Sequence, residues 1–140
     1  MHRLLELWPM GLGQPNAAMK ERVAKEFELD NPTLEQACAM ASRIVHGEGA
    51  WAWDPMNLEW WQNELDIVYG GRLLRIDRLV RLRGNGQWWV LDYKSSGDSL
   101  KRPQRIEQLA LYREAVCDAM AAHLVRAAFL GADGSMEVLL

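Results

Sequence analysis

The sequence predicts an α/β fold with a mixed central sheet and flanking helices, α+β being the alternative, and three observations carry that expectation. Between Asn63 and Ser96 three β-type runs are joined by the glycine turns Gly70-Gly71 and Asn85-Gly86. The residues before them have helical periodicity, and after a polar loop a further helical stretch precedes two terminal apolar runs. With 140 residues, 49% hydrophobic and 25% charged, the chain has the composition of one ordinary globular domain able to bury its own core. Within it we expect N-terminal helices over 1–62, a functional sheet over 63–96, and a helix with two strands over 97–140.

In chain order, His2 to Trp8 has helical residue types and stops at Pro9. Starting inside a helix without a cap, the chain reads as a fragment or a short version of something larger. Gly11 to Pro15 is a loop. A second helix, capped by Asn16, runs to about Leu29 with Met19, Val23 and Phe27 on its buried stripe, and Asp30-Asn31-Pro32 breaks it. The third starts with Thr33 as N-cap and Gln36 three residues on, a capping-box arrangement, and runs to about Val45. Trp51 to Trp61 is a tryptophan-rich connector that packs over the sheet or a helix, stacking on bases being the other use of such density. After the three strands, Gly97 to Arg102 is a loop. Pro103 suits the first turn of a helix reaching about Ala122. His123 to Gly131 and Ser135 to Leu140 are strands around the turn Ala132-Asp133-Gly134.

Composition removes several function classes. The net charge of -3 advertises no polyanion partner, although Arg72, Arg75, Arg78, Arg81 and Arg83 cluster beside acids and Lys101, Arg102 and Arg105 follow them. Cys38 and Cys117 lie far apart without CxxC spacing, which argues against a zinc knuckle, an iron–sulfur cluster or a secreted disulfide framework. With no signal pattern and no apolar run of membrane-spanning length, the expectation is a protein of the reducing cytoplasm with no membrane.

The acids inside the strands carry the functional argument, because Asp and Glu are depleted from strands and costly to bury unless paired or metal-bound. If Asn85-Gly86 is a two-residue hairpin loop, Asp77 falls opposite Lys94 and Leu79 opposite Asp92. Taking Gly70-Gly71 the same way sets Tyr69 against Arg72 and Glu64 against Asp77. Glu64, Asp77, Asp92 and Lys94 then converge on one face, with directly opposed Cβ atoms about 5 Å apart. The other face, from Leu65, Ile67 and Ile76 to Val80, Leu91 and Tyr93, is core. Carboxylates that hold Mg²⁺ through oxygen, with a lysine on the same face to orient water and stabilise charge on a phosphate, are the parts of a metal-dependent phosphodiesterase.

MHRLLE at 1–6, Glu64, Ile76-Asp77-Arg78, Leu91-Asp92-Tyr93-Lys94 and Gln108-x-x-x-Tyr112 together resemble the nuclease domain at the C-terminus of RecB- and AddA-type helicase–nucleases, a branch of the PD-(D/E)xK superfamily. The resemblance spans nearly the whole chain and implies a restriction-endonuclease-like core. It further implies His2, Asp77, Asp92 and the Tyr93 carbonyl as ligands of Mg²⁺ or Mn²⁺, Lys94 as the catalytic lysine, and Glu64 as an accompanying acid. Gln108 and Tyr112 would support the site from the following helix. The expected activity is exonucleolytic cleavage of DNA in repair or recombination, with backbone contacts from Arg78, Lys101, Arg102 and Arg105. A partner helicase, or a missing helicase portion, would supply the ATP-driven unwinding for which this chain has no phosphate-binding loop.

Other uses of the same residues are open at this stage. Asp77 and Asp92 could serve a cross-strand ion network with Arg75, Arg81 and Lys94. Glu64 could form a salt bridge or bind an ion through water. Gln108 and Tyr112, four apart on one helical face, could simply bond into the sheet. The alternative function is a catalytically weak or inactive DNA-binding or assembly module that keeps the nuclease fold.

Overall fold

The computed structural model describes residues 1–11 and 13–140, so the expected loop from Gly11 to Pro15 falls partly outside the described residues. Its elements are α1 (His2–Leu7), α2 (Ala17–Phe27), α3 (Asn31–His46), β1 (Leu58–Tyr69), β2 (Arg72–Leu82), β3 (Trp88–Lys94), α4 (Pro103–Ala119), β4 (Val125–Gly131) and β5 (Met136–Leu139). The strands form one five-stranded sheet in the order β1-β2-β3-β4-β5, antiparallel except for the parallel pair β3–β4. A parallel step needs a long crossover, and α4 supplies it. The architecture is the mixed-sheet α/β fold that the order of apolar runs predicts.

Local chemistry explains where the helices start. Asn16 caps α2 as expected, its side chain accepting a hydrogen bond from the Met19 amide at 2.8 Å. At α3 the cap is Asp30 and not Thr33: Asp30 accepts from the Thr33 amide, and Pro32 lies in the first turn, where its missing N–H costs nothing. The Asp30-Asn31-Pro32 run therefore begins α3, while Glu28, in the left-handed region, ends α2. Gly47 is required where α3 ends, since a Cβ there would stand 2.4 Å from the Gly134 carbonyl, which accepts from the Glu48 amide.

Two cores cover the sheet. On one side Leu4, Leu5 and Ile44 of the N-terminal helices meet Val80, Leu91 and Leu130; on the other, Leu109 and Val116 of α4 meet Leu79, Val90 and Phe129. Each fully buried side chain of this size contributes about 1.5–3 kcal/mol of burial free energy. β3 is buried along nearly its whole length, as a strand covered on both faces should be. The expected division into a core face and a chemical face is thus corrected, since both faces are core.

The side-chain alternation also breaks within the first hairpin. Asn63 and Arg78 face the N-terminal helices, whereas Leu65 and Ile76, one pair further on, join the α4-side core. Between the pairs lie Glu64 and Asp77, and Glu64 has a φ of 49°. Left-handed backbone in mid-strand re-aims the hairpin at that point.

The Trp51–Trp61 segment is less of a connector than expected. Ala50–Trp53 forms a 3₁₀ turn and β1 begins at Leu58. Trp53 is buried, Trp51 packs edge-on to Trp89, and Trp60 edge-on to Trp88, so packing takes most of these rings. α4 ends at Ala119, earlier than predicted, and β4 starts at Val125.

Candidate active site

The Gly70-Gly71 turn sets Tyr69 against Arg72, as counted. The β2–β3 connection does not follow the count. Leu82 and Gln87 close a four-residue loop over Arg83–Gly86, with Gly84 and Gly86 both at positive φ. The ladder pairs Arg78 with Leu91 and Arg81 with Trp88, two residues away from the expected register. A shift of two preserves the face of every side chain. Extending the ladder by one step puts Asp77 across from Asp92, where Lys94 was expected.

At this step β2 and β3 part, and the Tyr93 amide donates to Asp77 Oδ2 at 2.8 Å. The same oxygen lies 3.3 Å from His2 Nε2. His2, about half exposed, stands over the Tyr93 ring with centroids 5.5 Å apart. The hydrogen bond to Asp77 raises the imidazole pKa above its ordinary value against the opposing effect of burial. α1 is held here through its last turn, where Glu6's carbonyl accepts from Asn63.

Asp92 is only 6% exposed. Burial first, and the neighbouring Asp77 second, push its pKa up to about 6. Lys94, two residues on along the same strand, brings Nζ to 3.0 Å from Asp92 Oδ2. The contact is an ion pair of poor hydrogen-bond geometry, and that oxygen has no hydrogen-bond partner among the described residues. Glu64 is partly buried near Asp77; burial and then Asp77 raise its pKa, and Arg75 lies 3.9 Å away.

From α4, Gln108 and Tyr112 line a groove of about 430 Å³ whose other wall is the start of β2. Burial first, and then the charges of Asp92 and Asp77, raise the pKa of the Tyr112 phenol. Arg105 is turned inward, donating to the Ser96 carbonyl and to Ser99 Oγ, which fastens the loop after Lys94. Lys101 and Arg102 are exposed, Lys101 lying 3.6 Å from Asp98.

Arg78 does not face solvent, which corrects its assignment to DNA. It is 1% exposed, donates to the Ala52 carbonyl at 2.7 Å and to Asn63 Oδ1, and lies 4.6 Å over the Trp53 ring. A signal for this was available: arginines at 72, 75, 78 and 81 recur every third residue in a strand that alternates every second, so they cannot all face the same way. The left-handed backbone at Glu64 carried no such signal.

The residues present fit a divalent cation by their chemistry. Two carboxylates meet in a buried place where one oxygen lacks a hydrogen bond, and Mg²⁺ is commonly held by one or two carboxylates plus water and substrate phosphate. Among the described residues no three His, Cys, Asp or Glu side chains converge closely enough to grip an ion by themselves.

The family model described as the PD-(D/E)XK nuclease superfamily matches residues 1–137. No curated protein matches the chain. Among the described residues no helix is long and apolar enough to cross a membrane.

Proposed function

We propose that this chain, which belongs to the PD-(D/E)XK nuclease superfamily, is a divalent-metal-dependent DNA nuclease working from DNA ends. The observation that carries the proposal is the buried Asp92 carboxylate, short of a hydrogen-bond partner, beside Asp77 and within 3.0 Å of Lys94. Asp77 and Asp92 would hold Mg²⁺ or Mn²⁺, with the Tyr93 carbonyl and His2 as further ligands. Bound there, the ion would polarise the phosphate and lower the pKa of a water. Lys94 orients the attacking water and stabilises charge on the phosphate as water oxygen bonds to phosphorus and the P–O ester bond breaks. Glu64 accompanies the acids, and Gln108 with Tyr112 steadies the strand from α4. Lys101 and Arg102 meet the phosphate backbone.

The exonuclease assignment and a helicase partner rest on the likeness of MHRLLE, Glu64, Ile76-Asp77-Arg78, Leu91-Asp92-Tyr93-Lys94 and Gln108-x-x-x-Tyr112, taken together, to the helicase-associated branch. The test is degradation of linear and circular DNA with Mg²⁺, Mn²⁺ or EDTA, beside Lys94→Ala. Metal-dependent loss of linear DNA, absent in the variant, is the expected result. Binding without cleavage would assign the chain instead to a DNA-binding or assembly role.

A further inference from the structure

We propose that the tip of the β1–β2 hairpin is a wedge for a duplex end, Val68 and Leu73 prising the terminal base pair apart and passing one strand into the groove between β2 and α4. This rests on the nuclease reading above and adds the form in which its substrate is received.

The hairpin is long and only half supported. β1 and β2 pair out to Tyr69 and Arg72, whereas β3 pairs with β2 only over Arg78–Arg81, so residues 72–77 have no strand on that side. At the tip, Ile67 and Leu74 form a directly opposed pair turned inward, 8% and 6% exposed. Val68 and Leu73 form the next pair, turned outward, each 70% exposed. Alternation at a one-sided ribbon ordinarily places polar residues there. Two opposed aliphatics at the end of a projecting arm are not singly scattered surface residues, and aliphatic side chains are the type that proteins insert between base steps.

The surroundings point to nucleic acid as the occupant. Leu73 also borders the groove of about 430 Å³ between β2 and α4, along with Arg72, Arg75, Gln108 and Tyr112. That volume is on the scale of a small-molecule pocket, enough to take an unpaired base. Glu107 is the one carboxylate in the lining, set against two arginines. Arg75 is held by Asp66 at 2.9 Å, while Arg72 has no ion-pair partner among the described residues and is available to a phosphate. On its α4 wall Tyr112 presents an aromatic ring beside Gln108. Aliphatic tip, arginine wall and aromatic ring therefore border one groove that a separated strand could enter.

The full-length chain is mixed in EDTA with a blunt duplex carrying 2-aminopurine at its terminal pair. Fluorescence should rise several-fold with the native protein, as unstacking demands, and stay flat with Val68→Ser/Leu73→Ser. In Mn²⁺ the ratio of duplex to single-strand degradation should fall at least about tenfold in that variant, since only the duplex has to be unstacked. No rise with the native protein, or an undiminished rise with the variant, overturns the wedge. Failure of the nuclease reading appears separately, as absence of metal-dependent cleavage of either substrate, because the fluorescence signal needs no cleavage.

Discussion

Asp92 Oδ2 lies 3.0 Å from Lys94 Nζ, so the lysine balances a carboxylate that is only 6% exposed. Removing the cation leaves that carboxylate with only Asp77 for company. Lys94→Ala should therefore lower stability by about 1–3 kcal/mol, as an uncompensated buried polar group does. It should also lower cleavage by roughly 10²–10⁴-fold. Asp92→Asn removes the buried charge and should leave the metal-free fold as stable or more so, while abolishing cleavage. Urea unfolding beside a nuclease assay reads both quantities, and a strongly destabilised Asp92→Asn would contradict the account.

The pH dependence of the metal-free protein follows from two shifts of the same sense. Asp92 titrates near 6 when folded, above the ordinary carboxylate value of about 3.9, so its contribution to stability is greatest below about 4 and is lost as pH rises to 6. His2 is raised by Asp77, so its contribution is full below about 6.5 and is lost as pH rises through the raised value. Metal-free thermal stability should fall as pH rises from about 4 to 6 on account of Asp92, and again above about 6.5 on account of His2. Mn²⁺ should offset the fall, by about 2.7 kcal/mol at one hundred times its dissociation constant, with a larger thermal shift at about pH 7.5 than at pH 5. Equal shifts at both values would place the ion elsewhere.

Much of the arrangement was legible because it depends on parity. A loop two residues longer than Asn85-Gly86 suggests still leaves Asp92 and Lys94 on one side of β3, so that part of the convergence tolerates an error in the turn, whereas Asp77 stands where the alternation of β2 breaks. What could not be read was set by tertiary contact. Arg78 is a strand arginine like Arg75 and Arg81 in sequence; only Trp53, Ala52 and Asn63, brought from elsewhere, make it an interior residue. The capping of α3 by Asp30 was hidden by Thr33, another favoured cap residue three positions later. The inward turn of Arg105 likewise depends on the loop it fastens.

Glu64 tests whether backbone or carboxylate matters at the point where the hairpin is re-aimed. Its φ of 49° is open to glycine and strained for a β-branched residue. Glu64→Gly should keep stability within about 1 kcal/mol of the native protein, and Glu64→Val should lose roughly 1–3 kcal/mol. Glu64→Gln, which keeps the native backbone preference, isolates the acid. If Glu64→Gln cleaves DNA normally while Glu64→Val does not, the residue acts by shape; thermal melts and cleavage rates on the three variants decide it.

Arg78 should behave as a structural residue and Lys101 and Arg102 as surface cations. Arg78→Ala leaves the Ala52 carbonyl and Asn63 without their buried donor and removes the layer over Trp53, so a loss of more than about 3 kcal/mol is expected. Arg78→Lys cannot restore the forked donor geometry and should recover little of it. Lys101→Ala and Arg102→Ala should melt normally and weaken DNA binding alike for all sequences, each flattening the dependence of log affinity on log salt by about one unit. A reduced salt slope for a folded Arg78 variant, with none for Lys101 or Arg102, would reverse the assignment and place the DNA backbone on the face now occupied by Trp53.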